Sequence, residues 1–149
     1  MQTISQTPSS VSTARRWTGR ILSGITVLFM LFDATIHAMR PAAVVDAFAH
    51  LGYPVSVALP LAITVLIVIA LYVFRRTSVL GAILLTGYLG GATASHVRVG
   101  DPLFNIIFPA IIATLAWAGL VLRNNELLEK IVDFSAPRPA RQRELPGRL

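Results

Sequence analysis

Four apolar blocks constrain the fold of this 149-residue chain more than any other feature of its sequence. Residues 21–39 are interrupted only by Asp33 and His37, and residues 103–122 contain no ionisable side chain. Residues 51–74 and 77–95 contain none except three tyrosines. Each block has the length of about 20 residues that a helix needs to cross roughly 30 Å of hydrocarbon. The pattern therefore predicts four transmembrane helices.

The composition supports this assignment. Hydrophobic residues make up 54% of the chain and charged residues only 13%, whereas a soluble domain has about 25% charged residues. The chain has no cysteine, so it cannot by itself hold an iron–sulfur cluster or supply a thiolate nucleophile. Any redox role would need a bound cofactor or a partner.

The basic residues, which give a net charge of +6, have a distribution typical of membrane topology. If both termini are cytoplasmic, that side receives all the lysines and arginines except Arg40 and Arg98, as the positive-inside rule requires. No aromatic residues interleave with the arginines of the C-terminal tail, so nucleic-acid binding is not predicted. We expect a multi-pass protein of the cell inner membrane with the lipid bilayer as its main partner.

The fold class predicted is all-α: a four-helix transmembrane bundle with a short amphipathic interfacial helix between the first two spans. In that connector, one helical stripe is apolar and consists of Val44, Val45, Phe48 and Leu51, while Asp46 and His50 fall on the opposite, solvated face. The expected domain organisation is a disordered tail over 1–14, a membrane domain over 15–134 and a disordered basic tail over 135–149. In the third span, the small-xxx-small pair Gly87 and Gly91 predicts close approach of another helix.

Polar residues concentrate at the outer end of the predicted bundle. Asp33, His37 and Arg40 share one stripe of the first span, and Asp33 lies about 10 Å deep at 1.5 Å per residue. Ser95, His96, Arg98 and Asp101 follow at the outer end of the third span. The inner half is expected to contain almost no polar group. A polar pocket open to the outer face is predicted, with the following candidate ligand-binding residues: Asp33, His37, Arg40, Tyr88, Ser95, His96, Arg98 and Asp101.

Three interpretations of this cluster remain open. Because an ionised side chain in hydrocarbon is costly, Asp33 could be structural, paired with His37, His96 or Arg98. The cluster could instead bind a small amphipathic molecule such as a quinone. A metal or haem on His37 and His96 is the third, although these histidines lack ligand spacing, and no metal site is predicted. No nucleophile–base motif or phosphate loop occurs, so whether the chain is an enzyme stays undecided.

One stretch has a more specific resemblance. The segment RRTSVLGAILLTGYLGGATASHVRVGDPLF, residues 75–104, closely resembles the DoxX-like family of small bacterial membrane proteins. The similarity extends to FDATIHAMRPAAVVDAFAHLGYP and covers roughly residues 25–123. It implies a four-helix integral membrane protein in which Asp33, His37, His96, Arg98 and Asp101 are the matching polar positions. The wider superfamily includes a subunit of an archaeal thiosulfate:quinone oxidoreductase and proteins needed for methylamine utilisation.

The function expected from residues and resemblance together is that of an accessory or ligand-binding component of a membrane redox system, close to a quinone. An oxidoreductase partner or a second copy of the chain would then be its protein partner. The alternatives are a catalytic subunit of a membrane oxidoreductase, and a purely structural or small-molecule transport protein.

Overall fold

The computed structural model describes residues 13–124 and 126–130. It contains five α-helices, and a 3-10 turn (Val55–Val57) leads into the third: α1 (Thr13–Met39), α2 (Ala42–His50), α3 (Ala58–Val73), α4 (Ser78–Val99) and α5 (Leu103–Arg123). Residues 126–130 are also helical. The predicted tails lie outside the described residues, except that α1 already begins at Thr13. The prediction of an all-α chain with four long apolar helices and a short connecting helix is confirmed.

The four long helices form an antiparallel bundle. α1 packs against α3 and α5, and α4 packs against the same two helices, so α1 and α4 lie on a diagonal. We call the end that holds the start of α1, the α3–α4 turn and the end of α5 the termini end. The opposite end, which holds α2 and the α4–α5 connection, is the α2 end. Both ends of the described chain therefore lie on the same side of the bundle.

The outer surface of the bundle is apolar, as a lipid-facing surface must be. Leu28 is 71% exposed and Phe32 is 61% exposed, and similar aliphatic side chains cover the outer faces of α3 and α4. Each long helix, with α3 extended by its 3-10 turn, has 19 residues or more and is apolar enough to cross a membrane. A soluble protein rarely exposes so large a continuous apolar surface, and the fold is that of a multi-pass membrane protein.

The proline positions explain where the helices begin and end. Pro41 disfavours helical geometry in the residue before it, and Arg40 adopts a left-handed conformation (φ 50°) that ends α1. Pro60 lies in the first turn of α3, where no backbone hydrogen bond is lost. Pro109 lies inside α5.

The termini end contains a buried network of uncharged polar groups, which corrects the expectation that this half is almost free of them. The Tyr72 hydroxyl donates to the carbonyl oxygen of Ala116 at 2.7 Å and lies 3.0 Å from the Ser23 hydroxyl. Tyr72 is 1% exposed, and Thr26 is also fully buried, donating to the Leu22 carbonyl. The sequence indicated no partner for Tyr72 because its hydrogen-bond partners, Ser23 and Ala116, lie on other helices. The residue pattern of one helix does not show which groups on its neighbours it will meet.

Glycines allow close helix contacts at this end, but at positions other than those predicted. A Cβ at Gly81 would lie 2.5 Å from the Cα of Tyr72 on α3, and one at Gly119 would lie 2.7 Å from the Ser23 amide on α1. At Gly87 and Gly91, by contrast, no atom of the described chain would lie within 4 Å of an added Cβ. No helix of the described chain therefore packs against Gly87 and Gly91, and their packing role stays a prediction.

Candidate functional site

A partly open cavity of about 590 Å³ lies between the helices at the α2 end. All five helices and the α2–α3 connection contribute to it, and most of the lining side chains are apolar: Phe29, Met30, Phe48, Leu51, Val57, Leu61, Leu89, Ala92, Phe108 and Pro109. Polar side chains enter from α1, from α4 and from the connection: Asp33, His37, Tyr53, Tyr88, Ser95 and His96. Gly87 and Gly91 also line the cavity, so their missing side chains widen it.

Asp33 is held by partners on two helices. The Tyr88 hydroxyl of α4 donates to Asp33 Oδ2 at 3.0 Å. His37 Nδ1 lies 2.7 Å from the Asp33 carbonyl oxygen and 3.5 Å from Asp33 Oδ1. The carboxylate thus joins the two diagonal helices, α1 and α4, across the cavity. Of the three partners considered from the sequence, only His37 is in contact; His96 and Arg98 lie in a second group.

The second polar group is centred on Asp101, in the α4–α5 connection. His96 Nδ1 donates to Asp101 Oδ2 at 2.5 Å, and His50 Nε2 donates to Asp101 Oδ1 at 2.7 Å. These hydrogen bonds hold the pKa of Asp101 below its ordinary value of 3.8, and the bond from His96 has a larger effect than the bond from His50. His50 has 58% of its side chain exposed, whereas His96 has 25% and lines the cavity. The three side chains form a continuous hydrogen-bonded chain from the surface to the cavity wall.

The α2–α3 connection is attached to α4 by further polar contacts. The Arg98 guanidinium donates to the Leu51 carbonyl oxygen and lies over the Tyr53 ring, 5.4 Å from its centroid. The Tyr53 hydroxyl is 2.9 Å from the Ser95 hydroxyl, which itself donates to the Gly91 carbonyl oxygen at 2.9 Å. Since the Ser95 proton is engaged there, the Tyr53 hydroxyl is the donor in the Tyr53–Ser95 bond. This attachment closes one side of the cavity.

Two glycine turns explain how Tyr53 and Asp101 reach their positions. Gly52 and Gly100 both adopt a left-handed conformation at φ 72°. After each glycine the chain folds back on the helix that it has just left: the Tyr53 amide donates to the Phe48 carbonyl oxygen, and the Asp101 amide to that of His96. This is the Schellman arrangement, which ends a helix and fixes the direction of the next residue. Gly52 thus ends α2, and Gly100 ends α4.

The eight predicted site residues fall into three groups. Five of the eight line the cavity: Asp33, His37, Tyr88, Ser95 and His96. Arg98 and Asp101 do not line it but hold residues that do, and Arg40 does neither. His50 is exposed, as expected for a solvated residue, and it also binds Asp101, a contact that the sequence did not predict. Tyr53 lines the cavity but was not among the predicted site residues. Its position directly after Gly52, at the end of a helix, could have indicated that a turn directs it toward the bundle.

The fold and the cavity define a class: a multi-pass four-helix membrane protein with an internal, mainly apolar pocket carrying a few ionisable groups. A scan against family models matches residues 21–119 to the DoxX-like family, and the chain belongs to that family. Comparisons with curated proteins and with solved structures found no significant match.

Proposed function

We propose that this protein binds a lipophilic ligand with a polar head, of the quinone class, in the cavity at the α2 end. The bound ligand would make the protein an accessory component of a membrane redox system. The observation that carries the proposal is an apolar cavity of about 590 Å³ with ionisable side chains on opposite walls. Binding sites for small organic ligands have this character: volumes of about 300–1,000 Å³, apolar walls and a few placed polar groups.

The polar groups suit the carbonyl oxygens of a quinone ring. His37 and His96 each use Nδ1 for a contact within the protein, which leaves Nε2 as the ring atom for a ligand. A histidine Nε2 can accept a hydrogen bond when the ring is neutral and donate when it is protonated. Such a group can therefore serve both the oxidised ligand, which accepts hydrogen bonds, and the reduced one, which donates them.

A structural role for the polar groups is the second candidate, and the contacts of Asp33 favour it. Asp33 joins α1 to α4 through Tyr88, and a carboxylate with such partners can fix helix register without any ligand. A transport function is less well supported. A transport path would have to continue from the cavity toward the termini end. There Thr26 and Tyr72, which are 0% and 1% exposed and hydrogen-bonded, fill the interior of the bundle.

The direct test is purification of the full chain from native membranes in mild detergent, followed by solvent extraction and mass spectrometry. We expect a quinone in an amount comparable to that of the protein. An intrinsic chromophore or redox cofactor would favour the catalytic-subunit alternative. Absence of any lipid-soluble ligand above the level in an unrelated membrane protein would favour the structural one.

Variants locate the binding to the cavity. In His96→Gln we expect the affinity for added decylubiquinone to fall about tenfold, since a hydrogen bond is worth roughly 1–1.5 kcal/mol. Asp46→Asn is the matched control, because Asp46 is exposed on α2 and does not line the cavity. Equal affinities of wild type and both variants would contradict the proposed position of the ligand.

A further inference from the structure

A second cleft lies at the termini end of the bundle, on the opposite side from the proposed ligand cavity. Its volume is about 530 Å³, and arginines from three separate segments line it: Arg16 and Arg20 of α1, Arg75 of the α3–α4 turn, and Arg123 at the end of α5. Two carboxylates, Glu126 and Glu129, line it as well. With four arginines and two glutamates, the lining has a net charge of +2.

Within the described chain, the arginines of the cleft do not form ion pairs with the two carboxylates that line it. Among the described residues, none of these four guanidinium groups forms an ion pair; the ion pairs found there all involve histidine. Arg16, Arg20 and Arg75 are exposed. The cleft therefore presents guanidinium donors to an incoming group.

Arg123 is pre-oriented within this cleft. Its Nη2 donates to the Tyr72 carbonyl oxygen at 2.8 Å, and its guanidinium lies over the Tyr72 ring, 4.8 Å from the centroid. One of the five guanidinium donors is thus used for positioning, and the others remain for a ligand. A fixed guanidinium loses less conformational freedom on binding than a flexible lysine, and its planar fork matches phosphate oxygens.

The position of the cleft identifies its surroundings. The apolar spans end at this level, with Val73 as the last residue of α3. Trp17, 56% exposed, lies next to the cleft, with the guanidinium of Arg20 over its ring at 5.6 Å. Exposed tryptophan beside arginine is typical of the layer where lipid headgroups meet the hydrocarbon. A ligand in this cleft would lie at headgroup depth.

From these observations we propose that the cleft at the termini end is a binding site for a phosphate group, supplied by the headgroup of an anionic membrane phospholipid. Basic pockets between transmembrane helices bind such headgroups. The chemistry shared with a free phosphate ion is the bidentate arginine–phosphate contact, and depth in the membrane favours the lipid. This site is independent of the proposed quinone cavity.

The test compares neighbouring arginines in the purified full chain. Arg75 lines the cleft, whereas Arg76, also exposed, does not. Wild type, Arg75→Gln and Arg76→Gln are titrated in detergent with dioleoylphosphatidylglycerol or dioleoylphosphatidylcholine, with thermal unfolding and native mass spectrometry as readouts. We expect phosphatidylglycerol, but not phosphatidylcholine, to stabilise the wild type. Its apparent affinity should fall about fivefold in Arg75→Gln, which corresponds to roughly 1 kcal/mol per arginine near an anionic surface, and little in Arg76→Gln.

Each other result would overturn the proposal. An equal loss in both variants would mean a general attraction of basic residues to anionic lipid. No difference between the two lipids would mean no phosphate selectivity. Inorganic phosphate that stabilises the wild type and competes with phosphatidylglycerol would assign the cleft to a free phosphate and not to a lipid. Arg16→Gln provides a second variant within the cleft should Arg75→Gln fold poorly, as judged by its helical circular dichroism.

Discussion

Asp101 connects separate helices at the α2 end of the bundle. Its carboxylate accepts hydrogen bonds from His50 of α2 and His96 of α4, and α5 begins two residues later, at Leu103. One side chain outside the membrane-spanning segments therefore links α2 to α4, next to the start of α5. The link is electrostatic and depends on the ionised form of the carboxylate.

The stability of the protein should consequently depend on the protonation of Asp101. Its pKa in the folded protein lies below the ordinary value of 3.8, so the contribution of the ionised form is complete above that value. It is lost as the pH falls through the folded-state pKa, because protonation removes the charge that both histidines bind. In Asp101→Asn we expect a lower thermal unfolding midpoint than in wild type at pH 6, and a smaller difference at pH 3. The measurement is thermal unfolding in detergent at a series of pH values.

Asp46→Asn is the control for this series, since it removes an exposed carboxylate from the same end of the bundle. Its pH profile should follow that of the wild type. A constant difference between Asp101→Asn and wild type from pH 6 to pH 3 would show that the ionised carboxylate contributes no stability.

At the scale of helices, a glycine inside a helix is required only where the backbones of two helices come into close contact. Gly81 lies against the backbone of Tyr72, where an added Cβ would be 2.5 Å from the Tyr72 Cα, and backbone cannot move aside as a flexible side chain can. Gly90 lies on the same helix, α4, and no described atom would lie within 4 Å of a Cβ there. The two positions therefore form a matched pair.

We expect Gly81→Ala to destabilise the protein by about 1–3 kcal/mol, the usual cost of overpacking. Gly90→Ala should be neutral or stabilising by up to about 1 kcal/mol, because alanine favours the helix. Denaturant unfolding of the purified protein, followed by circular dichroism, measures both. Equal stability of the two variants would mean that α3 and α4 do not pack at the distance described.

These helix contacts also show what the sequence could and could not predict. The spans, their ends and the connector helix follow from apolar length, proline and glycine, which act locally. Gly87 and Gly91 meet no other helix within the described chain and line the cavity instead. Their spacing shows only that they share a face, and not whether that face meets a helix or a cavity. The bond between His50 and Asp101 could not be predicted for a related reason: these residues are 51 positions apart, and only the packing of α2 brings them together.

For the molecule as a whole, the two ends of the bundle differ in chemistry. The α2 end has histidines, aspartates and the apolar cavity, while the termini end has the arginine cleft and a closed network around Tyr72. If lysine and arginine determine the orientation, the termini end is cytoplasmic and the α2 end faces outward. The ligand cavity and the phosphate cleft would then belong to opposite sides of the membrane.

The absence of native cysteine makes this orientation directly measurable. Asp46→Cys places a thiol on α2 and Arg76→Cys places one in the α3–α4 turn, and both positions are exposed. In intact bacterial spheroplasts, a membrane-impermeant maleimide should label position 46 and leave position 76 unlabelled until the membrane is permeabilised. The reverse pattern would overturn the orientation but keep the bundle. Labelling of both positions from outside would contradict the four-span topology itself. Since α3 lies between positions 46 and 76, it would then not cross the membrane.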